Sequence, residues 1–193
     1  MFVRMDSFGR DIMVYVFLAD GFEEIEALTP VDLLRRAGVT VKTASIYPDR
    51  KEVKGAREIS VIADITIDEA EPSKDDIMVL PGGMPGTVNL LECARLMDMV
   101  DSHNAAGGRI AAICAAPARI LGSKGLVKGK EATCYPGMEA LLEGATPVIK
   151  TVVTDGNITT SRGLGTAVDF ACELITIICG REKSDEIRSS VVA

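Results

Sequence analysis

The stretch from Arg109 to Arg119, Arg-Ile-Ala-Ala-Ile-Cys-Ala-Ala-Pro-Ala-Arg, constrains this chain more than any other. Ile110 to Ile113 is an apolar run of strand length that ends abruptly at Cys114. Small residues follow, then Pro117, then an apolar pattern through Ala118, Ile120 and Leu121 that reads as a helix. A strand, a sharp turn carrying a nucleophile and a helix make a nucleophile elbow, here with sulfur as the attacking atom. Small neighbours let the turn close and a substrate approach, and Pro117 suits a first helical turn, where a missing N–H costs nothing. A thiol at a helix N-terminus is expected to favour thiolate. Taken alone, the stretch is equally that of a buried core cysteine at a strand end.

The remaining chain extends the pattern. Ile12 to Ala19 is a nearly unbroken apolar run, as for a strand covered on both faces. Phe22 to Ala37 reads as a helix stopped by Gly38, with a late start or a kink expected at Pro30. Val39 to Ile46 is the next strand, which makes a parallel βαβ unit. Tyr47 to Asp64 reads as a hairpin or an edge excursion. Asp76 to Leu80 is a short buried strand before Pro81-Gly82-Gly83, and Val88 to Ala106 is helical, Cys93 included. A strand at Glu131 to Cys134 and a short helix over Pro136 to Leu142 follow the elbow. Val148 to Thr154 and Ile158 to Ser161 read as a β-hairpin turned by Asp155-Gly156-Asn157. A helix from Gly165 to Cys179 and an amphipathic tail complete an α/β sandwich around a mostly parallel sheet. Residues 1–10 read as a polar, disordered extension, and residues 11–193 as one domain.

Composition removes several function classes. The net charge is −7 with no Lys/Arg cluster, which argues against a nucleic-acid backbone as partner. No apolar run reaches the roughly 18 residues of a membrane span, and the N-terminus lacks a signal peptide's apolar core. Five cysteines in no metal-binding spacing fit a reducing cytoplasm and give no metal site. Cys134 is a candidate secondary thiol, and Cys93, Cys172 and Cys179 read as structural.

Three apolar strands end in unusual residues: Gly21-Phe22-Glu23-Glu24-Ile25-Glu26, Pro81-Gly82-Gly83 and Cys114. In a parallel sheet these ends share one edge, where ligands bind. Cys114 would attack an electrophilic carbon, the N–H groups of Gly83 and Ala115 would hold an oxyanion, and a glutamate would move protons if burial raised its pKa. First-turn acids also stabilise a helix dipole, which accounts for two of Glu23, Glu24 and Glu26 without naming the spare one. Gly82-Gly83 also reads simply as a strand-to-helix turn.

Four motifs together carry a resemblance: Asp20-Gly21-Phe22-Glu23-Glu24-Ile25-Glu26, Leu80-Pro81-Gly82-Gly83, Ala112-Ile113-Cys114-Ala115-Ala116-Pro117 and Ser161-Arg162-Gly163-Leu164-Gly165-Thr166. The chain resembles the ThiJ/PfpI superfamily over roughly residues 12–180, most of all its deglycase branch. The resemblance implies a flavodoxin-like fold, a homodimer, and an oxidation-prone nucleophile at Cys114 hydrogen-bonded to Glu26. It implies oxyanion donors at Gly83 and Ala115, with Gly82, Arg57 and Tyr135 as further pocket residues. Tyr135 takes the place of a histidine found in some relatives. Only His103 could supply a Cys–His–acid triad, and it reads as a solvated helix residue at the far end of the sheet, so peptidase and amidohydrolase chemistry is disfavoured. The expected function is cofactor-free glyoxalase or deglycase chemistry on a small aldehyde such as methylglyoxal, or on glycated substrates, with protection against oxidative stress. The alternative is a non-enzymatic redox sensor or chaperone.

Overall fold

The computed structural model describes residues 11–193; the extension expected over residues 1–10 lies outside the described residues. Strand β1 (Met13–Leu18) alternates between two cores. Val14, Val16 and Leu18 point to one face, and Tyr15, Phe17 and Ala19 to the other. With both faces buried, the strand has no polar side, which is why its sequence reads as a continuous apolar run.

Helix α1 (Glu24–Arg36) follows, then β2 (Thr40–Ser45), the antiparallel hairpin β3 (Glu52–Lys54) and β4 (Ser60–Ile62), β5 (Ile65–Thr66) and β6 (Ile77–Leu80). Helices α2 (Gly86–Glu92) and α3 (Ala94–Ala105) lead into β7 (Arg109–Ile113). After the elbow come β8 (Glu131–Ala132), β9 (Thr146–Pro147), β10 (Val152–Asp155), β11 (Ile158–Ser161), α4 (Ala167–Cys179) and α5 (Arg181–Ser190). The main sheet runs β10-β11-β7-β6-β1-β2-β5, parallel except where β10 meets β11. Helices α1, α4 and α5 cover one face, and α2 and α3 the other. This is the α/β sandwich expected from the strand–helix alternation, with the flavodoxin-like fold that the resemblance implies.

Several boundaries differ from expectation. The helix opened by Glu23 does not start late but continues through Pro30 to Arg36. Pro30 forfeits only the bond to the carbonyl four residues back, and burial of Val31, Leu33 and Leu34 holds the next turn in place. The single helix expected over Val88 to Ala106 is two, because Cys93 adopts an extended conformation between them. Pro117–Gly122 is one π-helical turn, with Gly122 packed against the Leu141 carbonyl where a side chain would not fit. π-Turns occur often at functional sites. His103, expected in solvent, is buried: its Nε2 lies 3.1 Å from the Arg109 carbonyl oxygen, and Gly108 leaves room for its ring. Burial lowers its pKa, against hydrogen bonds to the Arg109 and Asp76 backbone. It does lie at the N-terminal end of β7, across the sheet from Cys114.

Candidate active site

Register alone brings the first two site residues together. Leu80 of β6 pairs with Ala112 of β7, so two residues further on Gly82 meets Cys114. Cys114 has φ of +66°, a left-handed conformation that costs a non-glycine residue about 1–3 kcal/mol. Hydrogen bonds on both sides hold it there: Cys114 N–H donates to the Ser161 carbonyl at 3.1 Å, and Tyr135 N–H donates to the Cys114 carbonyl at 2.8 Å. The strained turn lifts the half-buried thiol out of the strand into the crevice.

Helix α1 supplies the carboxyl. Glu23 is its N-cap and accepts the Glu26 N–H at 2.7 Å. Glu26 therefore stands three positions into the helix, where side chains lean toward the N-terminus and so toward the sheet edge. Its residue surface is 1% exposed. Gly82 N–H donates to Glu26 Oε2 at 3.1 Å, and the carboxyl is also hydrogen-bonded to the Cys114 thiol and the Leu164 N–H. Gly82 fits between the pair only because it has no side chain: a Cβ there would lie 2.6 Å from Cys114 Cβ and closer still to Glu26 Oε2. The N–H groups of Gly83 and Ala115 both point at the sulfur. Gly83, at φ +93°, packs directly on the Gly21–Glu23 backbone.

The remaining acid of the motif has a structural role. Glu24 is buried and its Oε1 accepts the Arg57 N–H at 2.6 Å, so it ties the β3–β4 hairpin to α1 and delivers Arg57 to the site. Two further backbone bonds, Gly21 N–H to the Lys54 carbonyl and Ala56 N–H to the Phe22 carbonyl, complete that docking. Of the three acids, one caps, one anchors and Glu26 faces the thiol.

Electrostatics overturn the expectation of a thiolate favoured by a helix dipole. Burial, then the Glu26 charge, pushes the Cys114 thiol up to about 12, outweighing the Ala115 and Gly83 N–H groups that pull it down. A six-residue π-turn supplies little dipole to oppose this. Burial likewise raises Glu26 to about 7; the Cys114 hydrogen bond opposes this and the Glu23 charge adds to it. Two protons are held below about 7 and none above about 12, so between these values the pair holds one shared proton. The nucleophile is then the tautomer in which Glu26 has taken the thiol proton.

A cavity of about 620 Å³ opens over the sulfur. Glu26, Arg57, Gly83, Cys114, Ala115 and Tyr135 all line it; Gly82, also expected in the pocket, is buried between Glu26 and Cys114 and does not line it. Tyr135 stands half exposed at the rim. Cys134, by contrast, is buried, with its sulfur 3.5 Å from the Tyr135 carbonyl, and burial raises it to about 11. It does not line the crevice. Met138, Leu141, Leu164 and Arg119 are among the further lining residues and were not singled out by sequence. Arg119 closes the elbow motif itself, one turn beyond Cys114, and that spacing was the available signal.

Known proteins share this arrangement of the chain. The sequence profile described as DJ-1/PfpI family matches residues 13–177. Protein DJ-1 homolog B of Arabidopsis thaliana is 36% identical over 96% of this chain, which spans only 42% of that relative's length. Glutathione-independent glyoxalase DJR-1.2 of Caenorhabditis elegans is 31% identical over 86% of this chain and 87% of its own. Among solved structures, oxidized Toxoplasma gondii DJ-1 superposes with a TM-score of 0.88 at 36% identity, covering 94% of this chain and 98% of that one.

Proposed function

We propose a function from one premise: this chain belongs to the DJ-1/PfpI family. We infer that it is a cysteine-dependent, cofactor-free glyoxalase acting on reactive dicarbonyls such as methylglyoxal, with deglycase chemistry on glycated thiols or amines as an extension. One observation carries this reading: a thiol, a proton-accepting carboxyl and two aimed N–H groups converge around Gly82. The name of the worm relative supports it.

Glu26 takes the thiol proton and Cys114 sulfur adds to the aldehyde carbon. The C–S bond forms as the carbonyl π pair moves to oxygen, where the Gly83 and Ala115 N–H groups hold the charge; such a donor contributes about 3 kcal/mol. Glu26 returns its proton to that oxygen and gives a hemithioacetal. The carboxylate then takes the proton from this carbon as the neighbouring ketone oxygen gains one, which gives an enediol; return of the proton to the neighbouring carbon and loss of the hydroxyl proton from the first leave a thioester of a 2-hydroxy acid. Water cleaves the thioester, releases lactate and restores the thiol, so methylglyoxal and water account for every atom. The histidine that a peptidase triad requires is at the other end of the sheet. Purified protein is expected to form lactate from methylglyoxal, and Cys114→Ala to form none above the uncatalysed rate. Equal rates for the two would refute the reading.

A second reading rests on the same carboxyl. With Glu26 raised to about 7, a protonated carboxyl can hydrogen-bond a sulfinate on Cys114 and stabilise it as a redox signal. Intact mass after mild peroxide tests this, with a gain of two oxygens on Cys114 expected and an unreacted thiol the refuting result. We also read the chain as a homodimer. Ile25, Ile59, Ile62 and Leu164 are exposed on α1, the β3–β4 hairpin and the turn before α4, and Ile62 is 69% exposed. A second copy covering these residues would bury the hairpin that carries Arg57.

A further inference from the structure

We infer that Arg119 makes the outer part of the cavity a subsite for an anionic group on the substrate; the inference builds on the aldehyde reading above. The preferred substrates are then dicarbonyls or aldehydes that also carry a carboxylate or phosphate.

The chain has 28 acidic side chains and a net charge of −7, so an arginine has ready access to counter-ions. Among the described residues, Arg35, Arg36, Arg50, Arg95, Arg181 and Arg188 each pair with an aspartate. Arg109 donates to the Gly156 carbonyl at 3.2 Å. Arg57, Arg119 and Arg162 have no such carboxylate, and the first two line the cavity over Cys114.

Arg119 is the more informative of the two. Its Nε is buried and has no hydrogen-bond partner. A buried donor left unmade is costly, and a guanidinium's fixed fork of N–H groups matches a carboxylate or phosphate edge. Its N–H donates to the Ala115 carbonyl at 2.9 Å, so it stands one turn beyond the nucleophile. The acids that share the cavity are otherwise engaged. Glu23 accepts the Glu26 N–H at 2.7 Å, and Glu26 shares its proton with Cys114. Glu139, beside the outer wall, accepts the Gly137 N–H at 2.8 Å. An oxyanion seated on the part of the Arg119 guanidinium that lines the cavity would hold the aldehyde end over the sulfur.

Alkylation of Cys114 by iodoacetate and by iodoacetamide, followed by peptide mass, tests this directly. The two reagents have similar size and one is anionic, so the ratio of their rate constants cancels changes in thiol reactivity. The parent ratio should exceed that of Arg119→Gln by about tenfold, as for loss of one hydrogen bond to a charged group. Arg119→Lys, which keeps the charge and loses the fork, should fall between them. Equal ratios in the parent and Arg119→Gln overturn the inference. Acetate and inorganic phosphate, tested as protectants against iodoacetamide, distinguish the two anions, and protection by neither also overturns it. A retained ratio in a protein that converts neither methylglyoxal nor 4,5-dioxopentanoate leaves the anion subsite standing and removes the dicarbonyl reading.

Discussion

Replacing Glu26 by glutamine should stabilise the folded chain far more at pH 8 than at pH 5. The carboxyl is raised from 4.5 to about 7, chiefly by burial. Between those values the folded protein holds a proton that the unfolded chain has already released, so stability falls as pH rises through that window. The full difference is about 3.4 kcal/mol at 1.36 kcal/mol for each factor of ten. Integration of the two titration curves places about 0.8 kcal/mol of the loss below pH 5 and about 3.3 kcal/mol below pH 8. Glutamine carries no such penalty, while its amide oxygen can still accept the Gly82 N–H and its amide N–H can face the sulfur. The stability gain from Glu26→Gln should therefore be about 2.5 kcal/mol larger at pH 8 than at pH 5. Urea unfolding of both proteins, at one protein concentration and both pH values, measures this double difference, in which pH-independent effects of the substitution cancel. A gain of equal size at the two pH values would refute the burial of an ionisable carboxyl beside the thiol.

Three further outcomes follow from the same geometry. The alkylation rate of Cys114 should rise through pH of about 7, as the pair gives up its first proton, and Glu26→Gln should remove that step; a surviving step means that Glu26 is not the thiol's partner. Gly82→Ala places a methyl 2.6 Å from Cys114 Cβ, and lactate formation should drop by about a hundredfold in a protein whose circular dichroism is unchanged. His103→Ala should cost about 1–3 kcal/mol in urea unfolding, by stranding the Arg109 and Asp76 backbone groups, with lactate formation per folded molecule unchanged. Loss of activity there would return a histidine to the mechanism.

What could be read from the chain, and what could not, divides along physical lines. β1, β6 and β7 are legible because burial on both faces removes polar residues from the strand itself. The elbow is legible because a tight turn demands small neighbours at fixed positions. The break at Cys93 is not, since nothing between Leu91 and Ala94 forbids a helix and only tertiary packing selects the extended conformation. Nor is the choice among Glu23, Glu24 and Glu26, because it hangs on which residue caps α1, and moving that cap by one residue would rotate every side chain by about 100°. The thiol's pKa went the other way for a related reason. A sequence displays a helix start, but the burial that opposes it is a property of the assembled crevice.

The contacts around Gly21, Gly82 and Gly83 divide the site into two parts with different tolerance to change. Glu23 N–H donates to the Gly82 carbonyl at 3.0 Å, Gly86 N–H to the Gly21 carbonyl at 3.1 Å, and Gly83 lies against the Gly21–Glu23 main chain. The reacting pair is thus held by main chain clasping main chain, which demands glycine at Gly82 and Gly83 and otherwise depends little on side-chain identity. Tyr135, Met138, Leu141 and Arg119 belong to the opposite wall, which follows the elbow in sequence and takes no part in that clasp. Such a division suits evolvability. The outer wall can be rewritten to admit new substrates, by natural drift or by directed libraries, while the chemistry beneath keeps its alignment. A library confined to those four positions should therefore yield altered selectivity far more often than loss of the nucleophile's reactivity.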